Sequence, residues 1–199
     1  ISYPGASTSY QEAVFRANGK LKIAFAPDLG GFGQVDAEMD GHLQAVLIQL
    51  QKNGVNVEEA CVDLSELEQT YHSLRGLMWA TAARRLPQEV QRHFKLTLSQ
   101  NTAFGQALNI DNIVDANLNR SLIFDSMIDL FEKFDVLACP TVGCMPHSTS
   151  EEWVRNVGGV ELVGYMDWLR FAFLATVTGL PAISIPVGLG PRGLPVGLQ

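Results

Sequence analysis

Apolar positions recur along this chain at two spacings, and each change of spacing marks a change of element. Leu21–Ala26 (LKIAFA) is a short apolar run of strand length. From Asp36 onward, Met39, Leu43, Val46, Leu47 and Leu50 recur at steps of four, three, one and three, which places them on one face of a helix. Asn53-Gly54 supplies its stop signal. Val55–Cys61 follows as a second strand, completing a β-α-β unit whose right-handed crossover makes the two strands parallel. Ser65 and Glu68 have capping-box spacing and open a helix to about Arg85. Pro87 suits the first turn of a further helix through about Leu98. A long helix starts at Asp111, with Ile113, Val114, Leu118, Leu122, Ile123, Met127, Leu130 and Phe131 on its inner side. Asp135–Cys139 reads as a strand cut off by Pro140, and 141–150 as an irregular loop. A helix over 161–176 carries Tyr165, Trp168, Leu169 and Phe173, and two strands, 182–188 and 194–199, end the chain. Strands alternating with helices predict an α/β fold, a mixed sheet flanked by helices. Residues 1–199 are expected to form a single domain, with 1–20, marked by Pro4-Gly5, as an incoming linker.

The two terminal strands carry a pattern that hydrophobicity alone does not explain. Ile183, Ile185 and Val187 are bulky, while the alternate positions Ala182, Ser184 and Pro186 are small or rigid. In the last strand, Leu194, Val196 and Leu198 alternate with Pro195, Gly197 and Gln199. Each strand thus has one packing face and one face where another backbone can come close. Both are expected to be buried. Pro186 and Pro195 donate no ladder hydrogen bond, which favours an edge.

Composition narrows the function classes. The 199 residues are 47% hydrophobic and 18% charged, enough for a full-sized core. Net charge is −7 and the 14 basic residues are scattered, so no basic stripe is available for nucleic acid or an anionic membrane. The apolar runs fall short of the ~20 residues that span a bilayer. Three cysteines, Cys61, Cys139 and Cys144, form no disulfide framework and fit a reducing, cytoplasmic setting. Cys139, Cys144 and His147 lack further ligands at zinc spacing, so the cysteines read as small buried apolar groups.

Candidate catalytic motifs are sparse. Gly30-Gly31-Phe32-Gly33 lies between a strand and a helix, but Asp36 stands where a dinucleotide fingerprint has its third glycine. A carboxylate there competes with phosphate for the helix N-terminus. The histidines His42, His72, His93 and His147 show no serine or carboxylate pairing by spacing, and no G-x-S-x-G elbow is present. Tyr165, Trp168, Phe171 and Phe173 cluster as either core or one wall of an apolar pocket.

The closing block, Thr178-Gly179-Leu180-Pro181-Ala182-Ile183-Ser184-Ile185-Pro186-Val187-Gly188 and then 193–199 (GLPVGLQ), resembles the C-terminal block of the amidase signature family. Phe134–Thr141 (FDVLACPT) resembles that family's preceding strand, and 21–27 with the following helix its mid-chain strand and helix. The resemblance implies a serine amide hydrolase with a Ser–cis-Ser–Lys triad and no cofactor. The lysine of such a triad must be held neutral, and backbone N–H groups hold the oxyanion. The family's Ser-Ser pair flanked by Gly-Gly has no counterpart here: the Gly-Gly pairs at 30–31 and 158–159 have no adjacent serine.

Ile1 in place of Met and the stop after Gln199 then suggest the C-terminal portion of an amidase, itself without catalytic residues. Its expected partners are the N-terminal part of the same polypeptide, a small-molecule amide, and a second copy in a homodimer. Cys139, Thr141, Met145, Tyr165 and Trp168 are the expected substrate-pocket residues, together with Thr176, which stands where family members often carry Asn. Two alternatives are the amidase subunit of a tRNA-dependent amidotransferase and a non-catalytic binding or scaffold module.

Overall fold

The structure is a computed structural model that describes residues 8–16 and 19–199; Pro4-Gly5 of the expected linker lies outside the described residues. The first element is a short helix, α1 (Tyr10–Arg16), inside the stretch expected to be linker, and it buries none of its residues. Strand β1 (Lys22–Phe25), helix α2 (Ala37–Lys52) and strand β2 (Asn56–Glu59) form the expected unit, with β1 and β2 parallel. Asn53 and Gly54 close α2 as the sequence predicts, their N–H groups donating to Leu50 and Gln51 carbonyls.

Strand β3 (Val136–Ala138) joins the other side of β1, also parallel. The chain's last strands, β6 (Ile185–Leu189) and β7 (Pro195–Leu198), form an antiparallel hairpin. β7 also lies against the end of β3. Cys139 N–H donates to the Gln199 carbonyl at 2.9 Å, Gln199 N–H returns to Cys139 at 2.8 Å, and Pro140 bridges antiparallel to Leu198. The strand order is therefore β2-β1-β3-β7-β6, a mixed sheet as expected. Ile23, Phe25, Val196 and Leu198 pack from this sheet onto Met39, Leu43 and Leu47 of α2.

On the other face sit α3 (Leu67–Ala83), α5 (Leu96–Ala107), α6 (Ile110–Phe131) and α7 (Phe173–Thr178). Their core is built on Phe171, Phe173, Tyr71, Leu67 and Ile123. The Tyr71 and Phe173 rings stack at 3.5 Å between centroids, 7° from parallel.

Several expectations are corrected. The Ser65–Glu68 capping box does not form. Ser65 N–H donates to Asp63, and Glu68 is drawn away by Arg170, 2.7 Å distant. The helix expected from Pro87 to Leu98 is broken into α4 (Gln88–Gln91) and α5. The Gln91 amide caps the end of α3 by donating to the Ala83 and Leu86 carbonyls, which holds α4 across that end before α5 runs back along α3. The long helix starts one residue earlier than expected, capped by a reciprocal Asn109–Asn112 box. Its Ala116, Ile123 and Met127 are buried, whereas Val114, Leu118 and Leu122 are exposed, joining Ile110 in an outward stripe.

The helix expected over 161–176 is three elements. A β-hairpin, β4 (Asn156–Val157) and β5 (Val160–Glu161), turns at Gly158-Gly159, and a 3-10 helix (Asp167–Ala172) precedes α7. Asp167 sets the break: its carboxylate accepts from the N–H groups of Val163 and Gly164. Strand β6, expected to be buried, is largely exposed: Ile183 and Leu189 are 72% and 65% accessible. The glycine-rich loop serves packing. A Cβ on Gly33 would lie 2.6 Å from the Phe171 ring. Asp36 stands at the α2 N-cap, but its side chain accepts from Gly158 N–H instead of capping.

Candidate functional site

Pro140 ends β3 and turns the chain into the 141–147 loop. That loop faces the β6–β7 hairpin across a cleft of about 580 Å³, within the usual range of small-molecule sites. Met39 of α2 and Trp168 of the 3-10 helix complete its lining. The cleft sits beyond the carboxyl end of a parallel strand, where α/β sheets generally bind ligands. The hairpin is fastened over it at the tip, where Arg192 donates to the Pro146 carbonyl at 2.8 Å.

Three of the six expected pocket residues line this cleft: Thr141, Met145 and Trp168. The other three do not. Cys139 is buried behind it, paired to β7 through its backbone, with its thiol accepting from the Gln199 amide at 3.5 Å. Thr176 faces outward on α7, its hydroxyl turned back to the Ala172 carbonyl at 2.7 Å. Tyr165 supports the wall from behind. Its ring meets Trp168 edge-on at 6.3 Å and faces a second cavity. Thus the aromatic cluster divides: Phe171 and Phe173 are core, Trp168 is wall.

The cleft also uses Ser184, Cys144, His147, Pro186, Pro195 and Gly197. Ser184 and Thr141 share a hydrogen bond of 2.7 Å between their hydroxyls. The small alternate positions of the terminal strands were the signal for Ser184, Pro186 and Gly197. A Cβ on Gly197 would sit 2.8 Å from the Thr141 hydroxyl, so only glycine leaves that pair intact. Nothing in the sequence marks Met39, which reaches the cleft from a helix more than a hundred residues away.

The lining is mostly apolar, with few polar groups. Burial pushes the Cys144 thiol up to about 11, with Asp36 adding to the rise, so it is not a thiolate near neutral pH. Cys139 is pushed by burial to about 12. The His147 ring meets Trp168 edge-on at 5.6 Å. Among the described residues, neither the Thr141 nor the Ser184 hydroxyl is hydrogen-bonded to a lysine, histidine or carboxylate. The Trp168 indole N–H has no acceptor. No group of His, Cys, Asp and Glu among the described residues has metal-site geometry. The arrangement is suited to binding and orienting a ligand.

These features define an α/β protein with a small-molecule cleft at the carboxyl end of its parallel strands. The chain belongs to the amidase family, whose model, described as Amidase, matches residues 2–199. It is 24% identical over 197 residues to a putative amidase of Synechocystis sp., a match covering 98% of this chain and 37% of that protein. It is 29% identical over 113 residues to a fatty acid amide hydrolase of Arabidopsis thaliana, covering 56% of this chain and 18% of the plant protein. Among solved structures, a bacterial aryl acylamidase of the amidase signature enzymes superposes with a TM-score of 0.73 at 23% identity, over 90% of this chain and 39% of that one. A 6-aminohexanoate cyclic dimer hydrolase superposes with a TM-score of 0.76 at 19% identity, over 100% of this chain and 44% of the other. The chain therefore spans well under half the length of these relatives, and the shared fold is that of amidase signature enzymes. No helix of the described residues is long and apolar enough to cross a membrane.

Proposed function

We propose that these residues form one wall of the substrate pocket of a serine amide hydrolase, which cleaves a carboxamide by covalent acyl transfer. The serine nucleophile, bridging serine and lysine base are contributed by a segment preceding residue 1, and the 199 residues alone are inactive. The observation that carries this reading is the cleft itself, which offers apolar walls in Met145, Trp168 and Pro186 but no activated nucleophile. The limited share of each relative that the chain spans supports it. So do the exposed apolar faces of α6 and β6, larger than isolated surface residues, which the remainder of the polypeptide would cover. The lining favours an uncharged, apolar group on the substrate.

Turnover of p-nitroacetanilide and benzamide, by the 199 residues alone and by the whole protein, tests this. The whole protein should hydrolyse one or both, and Trp168→Ala should lower kcat/KM by about 10- to 100-fold through lost apolar contact. Turnover by the 199 residues alone, abolished by a serine-directed inhibitor, would overturn the reading. A second reading rests on a 26% identity over 211 residues to the amidase-family component of a glutamyl-tRNA(Gln) amidotransferase from a Psychrobacter species. Amide transfer to glutamyl-tRNA, dependent on further polypeptides, would favour it over simple hydrolysis.

A further inference from the structure

A second cavity, of about 270 Å³, lies between α3 and the start of α5, behind the Tyr165–Trp168 contact. Its size is slightly below the usual small-molecule range of about 300–1,000 Å³, so it suits a small ligand. Arg75 and Trp79, one helical turn apart on α3, supply two donors. Neither Arg75 Nε nor the Trp79 indole N–H has a hydrogen-bond partner, although both are buried. Among the described residues the Arg75 guanidinium makes no ion pair; its one hydrogen bond is a long one, 3.4 Å, to the Tyr71 hydroxyl. Lys95 and Glu152 also line the cavity and pair with each other at 3.6 Å, so its two cations outnumber its one anion. Trp79, Leu98 and Tyr165 furnish flat and apolar walls. A half-buried guanidinium without a counter-ion is costly, and its planar fork matches a carboxylate better than any other small anion group of this size.

We propose that this cavity binds a small organic monocarboxylate with a flat apolar body, the carboxylate on Arg75 and the Trp79 indole N–H and the body against Tyr165 and Leu98. The ligand brings one negative charge, which balances the lining. The site is separate from the cleft lined by Trp168 and does not depend on the function proposed for it.

Benzoate is a suitable probe, followed by the indole ¹⁵N–¹H signals of the whole ¹⁵N-labelled protein, with the Trp79 signal assigned from Trp79→Phe. Benzoate should shift the Trp79 signal downfield and saturably in the millimolar range. Benzyl alcohol and inorganic phosphate should shift it at least tenfold more weakly. Arg75→Met should weaken the benzoate response at least tenfold, and Arg75→Lys should retain part of it. Benzoate bound in the main cleft moves the Trp168 signal instead. A Trp79 signal that is unmoved by benzoate to 50 mM (roughly ten times a weak-fragment Kd), or that responds equally to benzyl alcohol or phosphate, would overturn the proposal. Full benzoate binding in a folded Arg75→Met or Arg75→Lys protein that has lost neither affinity nor the downfield shift would do the same.

Discussion

Helices α3 and α5 cross where Gly76 meets Gly105, and Gly105→Ala sets two opposing effects against each other at that point. In isolation, Ala for Gly within a helix is favoured by about 1 kcal/mol. Here a Cβ on Gly105 would lie 1.8 Å from the Gly76 carbonyl oxygen and 3.0 Å from its Cα. An ordinary C···O contact is at least ~3.3 Å, so the two backbones must part by roughly 1.5 Å. The obstacle is helix backbone, which no rotamer change relieves. Overpacking of this kind costs about 1–3 kcal/mol, and a backbone partner places it at the upper end. Net destabilisation should be about 2 kcal/mol, equivalent to a fall in Tm of about 4–8 °C for a chain of this size. Gly41→Ala in α2 is the matched control. Gly41 is also helical and exposed, but nothing lies within 4 Å of its would-be Cβ. That variant should gain about 0.5–1 kcal/mol. Urea unfolding followed by far-UV circular dichroism, with an unchanged m-value, measures both. Equal or increased stability of Gly105→Ala would refute the close-crossing argument and leave helix propensity in control.

Three further outcomes follow from named contacts. Arg170→Met removes the 2.7 Å ion pair to Glu68 and the hydrogen bond to the Phe32 carbonyl, and should cost about 1–2 kcal/mol in the same unfolding assay, since Glu68 is partly exposed. Burial among aromatic rings lowers the His72 pKa, against the opposing pull of Glu68. The unfolded chain then binds the extra proton first, so this contribution to stability is present above the ordinary histidine pKa of about 6.5 and is lost as pH falls below it. His72→Phe should flatten the unfolding midpoint between about pH 7 and 5.5, and an unchanged slope would contradict the assignment. Finally, Cys139 and Cys144, held at about 12 and about 11 by burial, should resist a disulfide reagent at about pH 8 in the native protein. All 3 cysteines should react after denaturation, and rapid native labelling of either buried thiol would show the local packing to be wrong.

Much of the fold was legible because local signals and tertiary packing agree. Met39, Leu43 and Leu47 form the buried face of α2, and Asn53-Gly54 ends it, as their spacing and turn chemistry require. The parallel β1–β2 pair follows from the handed crossover. The last twenty-two residues and 134–141 carried the family in their own residue types, because a strand face that must admit another backbone restricts itself to Ala, Ser, Pro and Gly. What sequence alone did not determine was decided by contacts between distant residues. Glu68 looked like half of a capping box but is engaged by Arg170, about a hundred positions away. Val114, Leu118 and Leu122 share the helical period of the buried residues on α6, yet periodicity does not say which of two adjoining apolar stripes meets the core. In the cleft, Thr141, Met145 and Trp168 come together with Met39 and Ser184 only because β7 pairs with the end of β3 and carries the hairpin across it. That same pairing turns Cys139 inward, away from the ligand space its neighbours line. Strand alternation fixes which residues share a face. Only the assembled sheet decides which face meets the core, which meets the cleft and which is left open.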